Sequence, residues 1–416
     1  MNQSVWKNRN FLLLWIAGLA SSFAISVFLF SQSWYVVKVL DLEASLGLIF
    51  IASSVPRLIF MLVGGVVADR FSKKKIMFWS DFTRAILLVF LVAILITGMI
   101  NIWTFVGFAL LFGVLDAFFW SAGGAIMPEI VHKENLTRAN SINQMTNQSS
   151  FILGPMLGGF LVSFGDYTVA FTTTIILLLT GSILTYMIKT RYDVEGGASD
   201  KDEKFFASLK EGIVYVKKHS FLTALFSVTV LLNLFIVGPM QMGMPLFAKN
   251  VLHGDSLVFS WLEGSMAGGM LLGSLAVGVL NIKHNRIKFG LTGILFAGIF
   301  FALLSFTSVL WQSLICVALF GAMLPMANIP VVSLIQSSVK EEMMGRVMSL
   351  LTFSSMGLIP VSLGLTSVVI SFGMSIDKIM LIGSVLVCIW IMVVPLLYRN
   401  LLSYDSSVKT NAENII

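Results

Sequence analysis

Runs of about twenty apolar residues recur along almost the whole chain, and this pattern restricts the fold more than any motif in it. A helix of that length crosses a hydrocarbon core of ~30 Å. Twelve candidate spans can be marked, at roughly 11–37, 44–68, 76–99, 102–127, 141–164, 169–188, 221–247, 257–281, 289–309, 311–335, 346–372 and 377–398. Backbone amides in lipid have no water to bond, so segments of this kind must be helices. The chain is therefore expected to be an all-α membrane protein. Of its 416 residues 57% are hydrophobic and 12% charged, about half the ~25% charged residues of a soluble domain. The first run starts about ten residues in, with no small-residue cleavage site after it. It reads as a retained span and not as a removed signal peptide.

Charge placement sets the expected topology. With the amino terminus inside and the loops alternating, 22 lysines and arginines fall on the inner side. Only Lys38, Lys249 and Lys378 fall outside, and Arg57 and Arg84 lie within spans. The positive-inside rule predicts such an imbalance for an even number of spans with both termini cytoplasmic. The net charge of +6 thus belongs to the inner membrane face, and no nucleic-acid partner is expected. Cys316 and Cys388 both sit in apolar runs and suggest neither a metal site nor a disulfide framework.

The chain also repeats itself. Val131–Ser141 aligns with Val339–Ser349 at an offset of 208, each stretch opening a span with an arginine, Arg138 or Arg346. The loops at 65–75 and 278–288 align at an offset of 213. Similar offsets imply two six-helix halves in the same orientation. Parallel repeats of this kind occur in secondary transporters whose substrate site lies near the midplane at the repeat interface. The expected organisation is an N-terminal six-helix bundle at 1–188, a cytoplasmic linker at 189–220, a C-terminal bundle at 221–402 and a tail at 403–416. Within the linker, Phe206, Leu209, Ile213 and Val216 mark an amphipathic helix over 205–218.

Several stretches resemble the major facilitator superfamily, and within it the bacterial drug:proton antiporter branch of macrolide-efflux proteins and the enterobactin exporter. They are Asn8-Arg9-Asn10-Phe11 with Trp15 and Gly18, Pro56-Arg57 ahead of the Gly65–Lys75 loop, and Asp81 with Arg84. Ala139-Asn140-Ser141, Gly154-Pro155 with Gly158-Gly159, Glu211-Gly212 and Gly345–Ser349 complete the set. The resemblance implies the major facilitator fold, twelve transmembrane helices in two parallel-repeat six-helix bundles. It also implies a multi-pass protein of the bacterial cytoplasmic membrane. The pattern departs from the family at three points: Ser72 replaces a loop glycine, no helix-4 arginine stands near Phe112, and Ile25 stands where an acid is common.

Charges inside spans are costly, roughly 2.5–3.5 kcal/mol each on the mildest scales, and so point to function. Arg57 and Asp116 lie at similar depth in two spans that run the same way, so they can pair. Asp116 is then either half of a static bridge or a protonatable switch. Glu263, in the outer third of its span, is expected either to attract a cation or proton or to reach outer water. Asp81 and Arg84, three residues apart at the inner start of span 3, are expected to be structural, pairing with each other or with the basic loop, and Glu129 to cap its helix or bridge to that loop. Asp69 follows the last turn of span 2, where exposed carbonyls disfavour an acid. The family resemblance implies a gating latch from Gly65, Asp69 and Arg70 to Gly345 and Arg346.

Gly154, Pro155, Gly158 and Gly159 in span 5, with Gly268 and Gly273 in span 8, are expected to pack helices closely. The resemblance implies that these spans meet across the halves. Gln32, Trp34, Phe118, Trp120, Asn143, Asn147, Asn233, Gln241 and Asn328 are expected to line a substrate cavity. No phosphate-binding glycine loop, nucleophile elbow or paired metal ligand occurs, so no cofactor, metal or enzymatic step is expected. The leading expectation is a proton-coupled exporter of hydrophobic or amphipathic small molecules by alternating access, monomeric in the bilayer. A dedicated exporter or flippase for a siderophore or lysophospholipid, and a non-transporting receptor on the same scaffold, are the alternatives.

Overall fold

The computed structural model describes residues 5–132, 135–189, 214–280, 282, 285–339 and 341–398, without the side chains at 62, 66, 69, 137, 341, 342, 345 and 349. Its long helices, in chain order, are α1 Arg9–Lys38, α2 Ser45–Arg70, α3 Lys73–Ile96, α4 Ile102–Ile130, α5 Leu136–Phe164 and α6 Tyr167–Tyr186. They continue with α7 Ser220–Asn250, α8 Ser256–Leu280, α9 Arg286–Leu304, α10 Leu310–Ser338, α11 Glu341–Ser371 and α12 Ile376–Leu397. Among the described residues ten helices are long and apolar enough to cross a membrane, all of these except α2 and α5. The described apolar stretch of α2 is limited to Ser45–Met61, and the first half of α5 carries Asn140, Asn143, Gln144, Asn147 and Gln148. Of the amphipathic segment expected at 205–218, only 214–218 is described, and it is helical.

Local chemistry sets the helix ends. The Asn8 side chain accepts the N–H groups of Asn10 and Phe11 and starts α1, while its amide donates to the Ile130 carbonyl that ends α4. Asn101 and Thr104 form a capping box on α4, and Asp166 caps α6 through the Val169 N–H. Each cap satisfies amides that a helix terminus leaves open.

The chain divides into two compact units. Unit 1 holds residues 1–199 with 254–260, and unit 2 holds 200–253 with 261–416. In unit 1, α2 and α4 run side by side in the same direction. A methyl on Gly113 would overlap the Ser53 carbonyl, and Ser121 Oγ donates to the Met61 carbonyl at 3.3 Å. Residues about sixty apart are therefore level with one another. An apolar cluster of Phe11, Leu14, Met77, Ile126, Met127 and their neighbours closes one end of this unit, where Lys73 pairs with Glu129. The expected bridge from Glu129 to the basic loop is thus present at Lys73.

In unit 2, α8 and α10 touch backbone to backbone. A methyl on Gly269, Gly273 or Gly321 would overlap the carbonyl of Ala318, Ala322 or Met266 respectively. Helix α7 contains one π turn, Asn233–Val237. Pro239, just beyond it, has no N–H for the regular ladder. Ser362 of α11 compensates, its hydroxyl accepting the Gly238 N–H at 2.8 Å and donating to the Leu234 carbonyl at 2.7 Å.

These contacts correct part of the glycine expectation. Gly154 and Gly158 lie against Ser26 and Phe30 of α1, inside their own unit, whereas Gly159 lies against Ser256 and Ser260 of α8, the contact expected between spans 5 and 8. Gly268 has open space where a methyl would go, because it sits about 100° around α8 from Gly269. Gly273 does pack as expected. α5 runs unbroken through Pro155.

Candidate functional site

Four charges from three helices meet inside unit 1. Arg57 of α2 places Nε 3.0 Å from Asp116 Oδ2 on α4. The other Asp116 oxygen, Oδ1, accepts from Arg84 Nη2 of α3, also at 3.0 Å. Arg84 Nη1 reaches Asp81 Oδ1 at 3.2 Å, and Asp81 Oδ2 accepts a hydrogen bond from the Ser21 hydroxyl on α1. The result is a chain of contacts, Ser21–Asp81–Arg84–Asp116–Arg57, in which two guanidiniums balance two carboxylates.

Exposure grades along this chain. Asp81 and Arg84 are fully buried, the Asp116 side chain is 13% exposed and that of Arg57 42%. The burial of Arg84 is tolerable because both of its Nη groups meet carboxylates and its plane lies over the Phe119 ring, 5.4 Å from the centroid. Among the described residues Arg84 Nε has no hydrogen-bond partner. Arg57 lies over Trp120 at 5.8 Å.

The pairing of Arg57 with Asp116 follows from equal depth on parallel helices. Asp81 and Arg84 pair with each other as expected, but they lie in the body of α3, and Arg84 also joins Asp116. Arg84 is about 17 Å from the Lys73 end of α3 and Asp116 about 21 Å from the Ile130 end of α4, at 1.5 Å per residue.

The other expected site residues scatter. Gln32 is 3% exposed with Nε2 unpartnered, and Trp34 is buried in a stack with Phe259, 5.7 Å between centroids. Phe118 is half-buried beside Phe60, and Trp120 is 44% exposed. Asn147 accepts from Ser22 Oγ at 3.0 Å, and half-buried Asn143 turns its oxygen toward Gly18. Both residues serve the α1–α5 seam, which Trp15 and Thr146 extend with a 2.6 Å hydrogen bond. Asn233 donates to the Thr229 carbonyl beside the π turn. Gln241 is half-buried and Asn328 exposed. Glu263 is half-buried on α8. Of the expected latch, Gly65 has open space around it, Arg70 is exposed, and Arg346 is half-buried with Nη1 3.1 Å from Met343 Sδ. The side chain of Asp69 and the surroundings of Gly345 lie outside the described residues.

Long apolar helices with a neutralised charge cluster in the interior of one unit define a multi-pass membrane protein. The chain belongs to the Major Facilitator Superfamily, whose family model matches residues 14–365. Among curated proteins it is similar to the uncharacterised MFS-type transporter YkuC of Bacillus subtilis strain 168, 28% identical over 234 residues and 53% of each chain. It is also similar to macrolide efflux protein A of Streptococcus pyogenes, 25% identical over 266 residues, 64% of this chain and 65% of the relative. The chain thus spans about half to two thirds of the length of these relatives. Among solved structures the fold matches the nucleoside transporter NupG, with a TM-score of 0.70, 13% identity, and 94% of this chain and 99% of the other covered.

Proposed function

We propose that this protein is a secondary active transporter that exports hydrophobic or amphipathic compounds from the bacterial cytoplasm in exchange for protons. In this reading twelve spans form two six-helix halves, 1–188 and 221–402, joined by the linker at 189–220. Both termini are cytoplasmic, and the protein works by alternating access as a monomer. It is not an enzyme. Membership of the superfamily and similarity to an efflux protein support transport and its direction.

The observation that carries proton coupling is Asp116. Its two oxygens are held by guanidiniums from two different helices, one buried and one partly exposed. While both contacts stand, each carboxylate oxygen already faces a positive charge. If α2 moves against α4, Arg57 leaves and Asp116 can take a proton, so protonation and helix movement become one event. The network is neutral as drawn, and a proton gained on Asp116 replaces the departing guanidinium.

Proteoliposomes with an imposed pH gradient test this against a panel of dyes, macrolides and lipids. The wild-type protein is expected to move substrate only with the gradient, and Asp116→Asn to lose gradient-driven flux while still binding. Flux indifferent to the gradient, or wild-type proton movement in Asp116→Asn, would sink the coupling.

A further inference from the structure

We propose that the outer edge of the Arg57 guanidinium, with the Trp120 ring beside it, is a binding site for an amphiphilic organic anion: a carboxylate, sulfonate or phosphate on a flat aromatic body. This rests on the transporter reading above and names the chemistry of a compound it would carry.

Depth is the first argument. Arg57 is the thirteenth residue of a 26-residue helix, about 18 Å from its start. No arginine at that depth reaches either membrane surface along its own helix. Yet 42% of its side chain is exposed. A guanidinium facing hydrocarbon there costs at least roughly 2.5–3.5 kcal/mol, so the exposed edge faces water or a polar ligand.

The second argument is how its donors are used. Nε is committed to Asp116 at 3.0 Å. Among the described residues no acceptor meets Nη1 or Nη2, which form the planar fork that grips carboxylate, sulfonate or phosphate oxygens two at a time. The negative charges nearby are already taken. Asp116 is shared with Arg84, and Asp81 is buried between Arg84 and Ser21. An anion arriving at the exposed edge meets Arg57 first, and a cation arriving there meets the same positive charge and is repelled.

The third argument is the surface next to the fork. Trp120 is 44% exposed, and Arg57 sits 5.8 Å from its ring centroid. One turn along α2 from Arg57, Phe60 pairs with Phe118 of α4 at 6.2 Å. An anion held by the fork therefore has aromatic faces within reach of its apolar part, and an inorganic anion leaves them unused.

The test is calorimetric titration of the full chain in lipid nanodiscs, with no gradient and no flux. Four probes separate the contributions: 2-naphthalenesulfonate, the neutral 2-naphthylmethanol, methanesulfonate, and (2-naphthylmethyl)trimethylammonium. The wild-type protein is expected to bind the aromatic sulfonate at least about tenfold more tightly than each of the other three. Arg57→Gln should bring the sulfonate down to the affinity of the alcohol. Arg57→Lys, a charge without a fork, should keep only part of the preference. Trp120→Leu should weaken sulfonate and alcohol alike. Equal binding of sulfonate and alcohol, tighter binding of the ammonium probe, methanesulfonate binding as well as the aromatic sulfonate, or a preference unchanged in Arg57→Gln would each overturn the site. If Arg57→Gln does not fold, the wild-type panel and Arg57→Lys decide. Sulfonate preference without gradient-driven flux leaves the site standing and removes the transport reading. Gradient-driven flux without sulfonate preference removes the site alone.

Discussion

At the scale of single residues, Arg57 and Arg84 stand at the same distance from Asp116, Arg84 through a hydrogen bond and Arg57 as an ion pair, and should differ sharply in what they contribute to stability. Arg84 is sealed between two carboxylates, and removing its charge leaves Asp81 and Asp116 facing each other without a cation between them. Breaking a buried pair from one side costs about 3–5 kcal/mol. Arg57 is partly solvated, and exposed pairs contribute about 0–1 kcal/mol. Thermal unfolding in detergent should therefore show Arg84→Met much less stable than wild type, or not recoverable folded, with Arg57→Gln close to wild type. Equal losses would mean that the network does not grade from core to surface as its exposure indicates. Residue depth, and with it the Arg57–Asp116 pair, was legible in the sequence because a helix converts residue count into ångströms. The sharing of Asp116 was not, since it depends on which face α3 turns toward α4. Nor were the partners of the amides legible: Asn143 and Asn147 stand at the α1–α5 seam and Asn233 beside the π turn.

At the scale of helices, glycine spacing in α8 was legible as a packing stripe, but not which glycines make contact. Gly268 and Gly269 are neighbours in sequence and opposites in setting. An alanine methyl at 269 meets the Ala318 carbonyl of α10, whereas at 268 it meets open space. Overpacking of the first kind costs about 1–3 kcal/mol, and the second should fall within about ±0.5 kcal/mol. A stability comparison of Gly269→Ala with Gly268→Ala reads this directly, and equal effects would mean that α8 and α10 do not meet at 269. The π turn of α7 makes a separate prediction. Ser362→Ala removes the hydroxyl that takes the Gly238 N–H and supplies the Leu234 carbonyl, leaving buried backbone groups without that partner. The expected loss is about 1–3 kcal/mol. Ser362→Thr, which keeps the hydroxyl, should recover part of it, and an Ala variant as stable as wild type would show that the turn closes its own hydrogen bonds. Pro239 was visible in the sequence as a missing donor; the helix that would make good the deficit was not.

At the scale of the whole molecule, the proposed topology turns on α2, whose described apolar stretch is the shorter Ser45–Met61, and on α5, whose first half is polar. Both are long enough, at 26 and 29 residues, to cross a bilayer. The polar half of α5 has somewhere to place its side chains, since Asn147 and Thr146 bond to Ser22 and Trp15 of α1. Orientation supplies the test, because each helix that fails to cross inverts every loop after it. The proposed topology puts Met99 outside, His132 inside and Phe372 outside, and all three are exposed. Single cysteines at these positions, in a background with Cys316 and Cys388 replaced by serine, can be labelled on intact cells with a membrane-impermeant maleimide. The expectation is labelling at 99 and 372 from outside, and at 132 only after permeabilisation. If α2 does not cross, 99 and 132 exchange behaviour. If α5 alone does not cross, 99 and 132 stay as expected and 372 turns inward. Two crossings lost together would restore the side of 372 but still expose 132, so the three positions separate all four cases. The charge imbalance favours the first: losing one crossing would carry the basic linker and later basic loops to the outer face, and losing both would put Arg70, Lys73, Lys74 and Lys75 outside.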